Sequence, residues 1–301
     1  MRLRQLKSMD SCRQKKGAVS RMKRPRIATP IFLVRHQAEK DLFGVIRQLG
    51  QLGFDAFEMG GLYGNAPEKV REAAAAARLE ILMDHVPYDA FRENPEEIIR
   101  TRAILGSKYI SICRIPANAY PGGCDFRETV VFLNRLAEQT KKAGMTLQYH
   151  NHGFDYMGRI DGKYPIEHIL DAVPGELLGH MPDIGWCMLG GGDPLYMLEK
   201  YRDRCKVIHL KDYYAEGPVR LKTAHELGGR RGGPEYFNFE FRPTGYGIVN
   251  FPGMMNQIMA CEPEWFTTDH DGSYCGNDYN ELRMSRVYTE NLLNLHFGSM
   301  A

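Results

Sequence analysis

No stretch of the 301-residue chain approaches the roughly 18 consecutive apolar residues that a membrane span needs. Net charge is scarce as well. With 39 Lys and Arg against 37 Asp and Glu, the chain carries +2 at pH 7, which argues against a nucleic-acid binder. The seven cysteines are an odd number with no CxxC and no regular spacing. They read as buried or incidental thiols of a cytoplasmic protein, not as a disulfide framework. An apolar run of signal-peptide type is missing from the start of the chain, so secretion is not expected. No GxGxxG opens the first strand–helix unit, which lowers a dinucleotide-binding fold.

What is present is ample material for a core, 43% hydrophobic residues beside 25% charged ones. The positive charge is local. Residues 1–24 hold nine Lys and Arg against one acid, Asp10, so the remainder is mildly acidic. This head reads as disordered, or as translation from an upstream start with Met22 opening the folded protein; a targeting segment or functional arm is the alternative.

From about residue 26 the chain alternates short apolar runs with longer helical patterns. Strands are expected at 27–34, 55–59, 79–85, 109–115, 145–150, up to Asp183, 206–210 and 265–270. Helices are expected at 39–52, 67–78, 95–105, 126–143, 166–173, 194–201, 251–260 and 279–294. Eight such units predict parallel strands with crossover helices and favour one closed (β/α)8 TIM barrel, an α/β fold, over a doubly wound sheet. We read one domain over residues 25–301 after the basic head. The Gly- and Arg-rich segment 212–247 breaks the rhythm and is too long for a plain connection. It is expected to rise over the active site as a lid; its ELGGRRGGPEYF portion could equally serve an oligomer contact.

The stretch MTLQYHNHGFDY ends a strand with two histidines. Period-2 alternation puts Gln148, His150 and His152 on one face, with Tyr149 and Asn151 on the other. Such a pair suits a metal site or an acid–base pair, and equally a pair of satisfied polar groups at a strand end. In a barrel the functional groups sit at the C-terminal ends of strands. Those ends carry Glu58, His85, Arg114, His150 with His152, Asp183, His209 with Lys211 and Asp212, and Asp269–His270–Asp271. His150, Asp183, His209 and Asp269 come from the fifth to eighth strands and make a mixed N/O set suited to Mn²⁺, Co²⁺, Fe²⁺ or Zn²⁺. Singly, each has a structural reading: Asp183 as a turn cap, His209 as a buried histidine, Asp269 as a solvated strand end.

YHNHGFDY, PDIGWCMLGGGDP, VIHLKD, TGYGIVNF and TTDHDGSY occur in the order seen in the sugar phosphate isomerase/epimerase family, the barrel group related to xylose isomerase and endonuclease IV. The chain resembles that family from about Pro25 to its C-terminus. The resemblance implies a (β/α)8 barrel holding one divalent metal through Glu, Asp, His and Glu. The family Asp matches Asp183 and the family His matches His209. The outer two glutamates align with His150 and Asp269 and are therefore changed. In the ketose 3-epimerases those glutamates also move the substrate proton, which a histidine ligand cannot do in the same way. TGYG, more often G-E-G, departs as well. The YHNH form is similar to the branch with inosose dehydratases and 3-keto-glycoside-processing enzymes.

The resemblance implies a metal-dependent isomerase or epimerase, Mn²⁺ first, that abstracts a proton next to a carbonyl of a sugar or keto-sugar. One alternative is a lyase acting on an inosose or 3-keto-glycoside. A second is a non-catalytic sugar-binding or partner subunit, and a nuclease of the endonuclease IV kind is a third. The metal set is His150, Asp183, His209 and Asp269. The acid–base candidates are His152, Glu58, His85, Lys211 and Asp271, with His152 and Glu58 first. His85, Trp186 and Arg114 are expected to bind substrate, Trp186 as an apolar wall or an ordinary core residue. Lys211 and Asp212 read either as substrate groups or as an ion pair at the rim. The partner is a small sugar or cyclitol, with neither nucleic acid nor membrane. Barrels of this family often associate into homo- or hetero-oligomers.

Overall fold

In the computed structural model, which describes residues 23–217, 219, 221 and 238–298, β-strands and α-helices alternate along the chain. Eight strands run parallel: β1 (Arg26–Pro30), β2 (Ala56–Met59), β3 (Glu80–Pro87), β4 (Tyr109–Cys113), β5 (Thr146–His150), β6 (Leu178–Met181), β7 (Val207–Tyr214) and β9 (Trp265–Asp269). The sheet order is β6-β5-β4-β3-β2-β1-β9-β7-β8. The chain just after β6 meets β7 where Asp183 bridges His209 in parallel, with His209 N donating to Pro182 O at 2.9 Å. The expected barrel is therefore closed, and the closing seam is made by two of the candidate metal ligands.

The helices are α1 (Arg35–Gln51), α2 (Pro67–Ala76), α3 (Tyr88–Glu93), α4 (Pro95–Leu105), α5 (Phe126–Lys142), α6 (Pro165–Ala172), α7 (Ile184–Leu189), α8 (Pro194–Lys200), α9 (Phe251–Ala260) and α10 (Asp278–Gly298). Their boundaries follow local chemistry. Proline stands in the first turn of α2, α4, α6, α8 and α9, where its missing N–H is no loss. Gly106 ends α4 with φ 77°, a left-handed turn that glycine adopts without strain. The face of α5 turned to the sheet carries Thr129, Leu133, Leu136, Ala137 and Thr140, a helical spacing that buries one stripe. Each such leucine contributes about 1.5–3 kcal/mol on burial.

Two short helices, α3 and α7, were not expected. The Asp183 side chain starts α7 by accepting from Trp186 N at 2.8 Å. The segment after β7 also differs from a plain loop. β7 runs on to Tyr214 and pairs antiparallel with β8 (Glu240–Arg242). ELGGRRGGPEYF and residues 1–22 lie outside the described residues.

Inside the barrel one end is apolar. Ala28, Ala56, Tyr109, Met181, Val207 and Trp265 form a buried plug. Two residues further along each strand the interior turns polar: Val207 gives way to His209 and Lys211, Trp265 to Thr267 and Asp269, Ala56 to Glu58. The strand pleat thus lays a polar floor on an apolar plug and points it at the C-terminal mouth. No helix among the described residues is long and apolar enough to cross a membrane.

Candidate metal centre and active site

His150, Asp183, His209 and Asp269 are buried and converge. One donor atom from each lies within 4.8 Å of those of the other three. His150 ends β5, with its ring centroid 4.7 Å from that of His209. Two buried atoms of this group have no hydrogen-bond partner, His150 Nδ1 and Asp183 Oδ2. Orphaned donors and acceptors at such depth are rare in folded proteins, and these two belong to one cluster of converging donors. Burial pushes Asp183 up to about 7, against the pull of Lys211. Burial, then the neighbouring His209, hold His150 well below the ordinary histidine range. A neutral imidazole is the form that ligates a metal.

His209 Nδ1 lies 3.1 Å from Asp269 Oδ2 and its Nε2 3.1 Å from Glu58 Oε1. Burial lowers its basicity, but Glu58 and Asp269 overcome this and raise it to about 10. Lys211 is fully buried. Its Nζ lies 2.9 Å from Asp269, 2.9 Å from Asp271 and 3.7 Å from Asp183. These carboxylates outweigh the cost of burial and raise the ammonium, so Lys211 is a fixed cation. It does not pair with Asp212, contrary to one expectation for the rim. The pleat turns Asp212 to the opposite face, where its carboxylate accepts from Tyr213, Gly245, Gly247 and Val249 N at 2.9–3.1 Å. The TGYG turn is thereby tied to β7. A Cβ at Gly247 would lie 2.2 Å from Asp212 Oδ1, so glycine is required there.

The candidate acid–base groups divide. His152 extends from β5 with its ring stacked on Phe154 (5.4 Å, 4°) and tilted against Trp186 (5.7 Å). Its Nδ1 is buried without a partner, and burial, then Arg114 and Lys211, keep it neutral. Asp271 is partly exposed at the mouth, held by Lys211. Glu58 is wholly enclosed and touches His209, His85 and Thr267. Such a carboxylate is placed to hold two imidazoles. His85 is 20% exposed and edge-on to His150 at 5.2 Å. Trp186, 8% exposed, packs beside Phe239 and Phe241 as a wall shared by core and site. Arg114 stands exposed after β4 with φ 56°, a left-handed backbone that costs a non-glycine residue on the order of 1 kcal/mol.

Residues 46–270 match the family model described as Xylose isomerase-like TIM barrel. The chain belongs to that family. This xylose isomerase-like barrel is 27% identical over 255 residues to an inosose dehydratase of Bacillus cereus (strain AH820), covering 77% of this chain and 83% of that one. Its fold matches a sugar phosphate isomerase/epimerase from Parabacteroides distasonis ATCC 8503, with TM-score 0.67, 20% identity, and coverage of 91% of this chain and 96% of the other. A structure of the IOLI protein with a binding zinc atom matches at TM-score 0.66 and 11% identity, over 89% and 98% of the two chains.

Several residues that shape the site of this xylose isomerase-like barrel were not singled out from sequence. Asn151 clasps the backbone of Asp183, and Thr267 donates to Glu58 at 2.7 Å. Asp155 accepts from His152 N (2.6 Å), Tyr120 OH (2.6 Å) and Tyr149 OH (2.8 Å) and so fixes the loop that carries His152. Burial raises Asp155 to about 6. Glu281 on α10 binds His270 and the backbone N–H groups of Tyr274 and Cys275, holding the loop after β9. Only Asp155 left a readable sign, an acid three residues after a loop-opening His.

Proposed function

We propose that this barrel is a divalent-metal-dependent lyase acting on a cyclic keto-polyol, an inosose or a 3-keto-glycoside. One observation carries it. The two-glutamate epimerisation that the family resemblance implies moves the proton with two outer carboxylates, and at one of those positions this chain carries His150, whose imidazole burial holds well below the ordinary range. The inosose dehydratase name of the curated relative supports the same assignment over most of both chains. Elimination therefore stands ahead of the isomerase or epimerase chemistry that the family resemblance first implies.

His150, Asp183, His209 and Asp269 would hold the metal, and the orphaned His150 Nδ1 and Asp183 Oδ2 fit that role. Two nitrogen and two oxygen donors suit Mn²⁺ first, then Co²⁺, Fe²⁺ or Zn²⁺; the zinc of the IOLI structure supports a divalent ion. When bound, the ion supplies Lewis-acid polarisation of the substrate carbonyl, which acidifies the neighbouring C–H.

The chain's own groups do the rest. His152, uncharged and with Nδ1 free, takes the proton from the carbon next to the carbonyl. Trp186 and Phe154 fix the plane of that ring. Lys211 balances the carboxylates of Asp183, Asp269 and Asp271, which would otherwise repel one another. Arg114, at the mouth, binds substrate oxygens. The free thiols of the six described cysteines fit a cytoplasmic enzyme.

The test is turnover of an inosose followed by the ultraviolet absorbance of the conjugated ketone that elimination creates. Activity is expected with Mn²⁺, to vanish on chelation and to return when Mn²⁺ is restored. Metal-free protein as isolated, together with an Asp183→Ala variant that changes nothing, would overturn the enzyme assignment and favour a binding subunit.

A further inference from the structure

Glu58 sits on the polar floor of the barrel with no solvent exposure. Its Oε1 accepts from Thr267 Oγ1 at 2.7 Å and lies 3.1 Å from His209 Nε2; its Oε2 lies 2.7 Å from His85 Nε2. Glu58, His85 and His209 could in distance alone take a second ion, since their donor atoms lie within 4.8 Å of one another. Their hydrogen bonding says otherwise. No buried nitrogen or oxygen of these three lacks a partner, whereas the neighbouring metal group has two such atoms. A carboxylate used up on two imidazoles is a device for aiming them.

One of the two, His209, is a ligand of the proposed metal centre. The other is free to act. His85 lies near the C-terminal end of β3, edge-on to His150 at 5.2 Å and to His209 at 5.8 Å. Its Nε2 is taken by Glu58, it is 20% exposed, and its Nδ1 has no partner among the described residues. Carboxylate, imidazole and open ring nitrogen are arranged as in a nucleophile-activating or acid–base dyad.

We propose that His85 is a catalytic residue, the acid that protonates the oxygen leaving the substrate, and that Glu58 is its positioning residue. This rests on the elimination chemistry above, which needs two proton-handling groups. The C–H bond next to the carbonyl breaks and its proton passes to His152. The electron pair becomes the new C=C bond, and the C–O bond on the adjacent carbon breaks. His85, its Nε2 held by Glu58, gives its Nδ1 proton to that oxygen, which departs as water from an inosose. One imidazole gains a proton and the other loses one, so charge balances and solvent exchange resets both.

The test separates the two proton transfers. Metal-loaded wild type and His85→Gln are incubated with an inosose in D₂O and followed by proton NMR, with metal content measured alongside. In His85→Gln, deuterium exchange next to the carbonyl is expected to persist within about threefold, while elimination falls by about a hundredfold or more. Glu58→Gln is expected to shift the same ratio in the same direction. Should His85→Gln fail to fold, His85→Ala with added imidazole serves, and partial return of elimination is expected. Exchange and elimination falling together in His85→Gln, or elimination staying near wild type, would overturn the role of His85 and leave the lyase assignment standing. Wild type that neither exchanges nor eliminates would overturn both.

Discussion

Asn151 and Asp183 are bonded to each other twice. Asn151 Nδ2 donates to Asp183 O at 3.1 Å, and Asp183 N donates to Asn151 Oδ1 at 2.9 Å. The clasp joins the end of β5 to the loop after β6, so His150 and Asp183 are held at one spacing. Groups that orient metal ligands typically carry 10–100-fold in affinity, on the order of 1–3 kcal/mol. Asn151→Ala is therefore expected to weaken Mn²⁺ binding by about that factor while the far-ultraviolet circular dichroism is unchanged. Unaltered affinity by titration calorimetry would show the clasp to be incidental.

The metal set makes a sharper prediction. One divalent ion per chain is expected, and His150→Ala and His209→Ala should each empty the site, because four donors leave no spare. Metal analysis after dialysis decides it. Full occupancy in either variant means that the ion is held elsewhere.

His152 is expected to behave differently from its neighbour two residues back. His152→Gln should bind Mn²⁺ as the wild type does and lose deuterium exchange next to the carbonyl by about 10²–10⁴-fold. Equal exchange in the variant would move proton abstraction to Asp271 at the mouth.

Away from the metal, Glu281 predicts a pH dependence of stability. Burial alone would raise its carboxyl, but His270 and the Tyr274 and Cys275 N–H groups hold it down at about 2, against an ordinary value of 4.5. A carboxyl depressed in the folded state contributes stability that is fully present above the unfolded value and lost as pH falls through the folded one. The Glu281 contribution should therefore be complete at neutral pH and fade between about 4.5 and 2. Urea unfolding of Glu281→Gln is expected to show lower stability than wild type at pH 7 and a narrowing gap toward pH 3. A gap that widens on acidification would contradict the assignment.

The barrel was legible in the sequence because each strand is a short apolar run and each helix an amphipathic stripe, and both signals are local. The convergence of His150, Asp183, His209 and Asp269 was legible for a related reason: strand ends are easy to locate, and the barrel rule says which end matters. Partnerships across the barrel were not legible. Glu58 looked like a base from its strand-end position, and its enclosure depends on Thr267 and His209, which are 209 and 151 residues away. Lys211 and Asp212 looked like an ion pair by adjacency, although the pleat sends adjacent side chains to opposite faces. Asn151 shows the limit of the same rule. Alternation takes it off the histidine face, and it acts there through the Asp183 backbone, which sequence spacing does not reveal.

The most direct measurement is the mass of the product formed from an inosose by the Mn²⁺-loaded protein. A metal-dependent lyase releases a product lighter than its substrate by one water, and chelation stops its formation. A product of unchanged mass would make the protein an epimerase or isomerase and contradict the account.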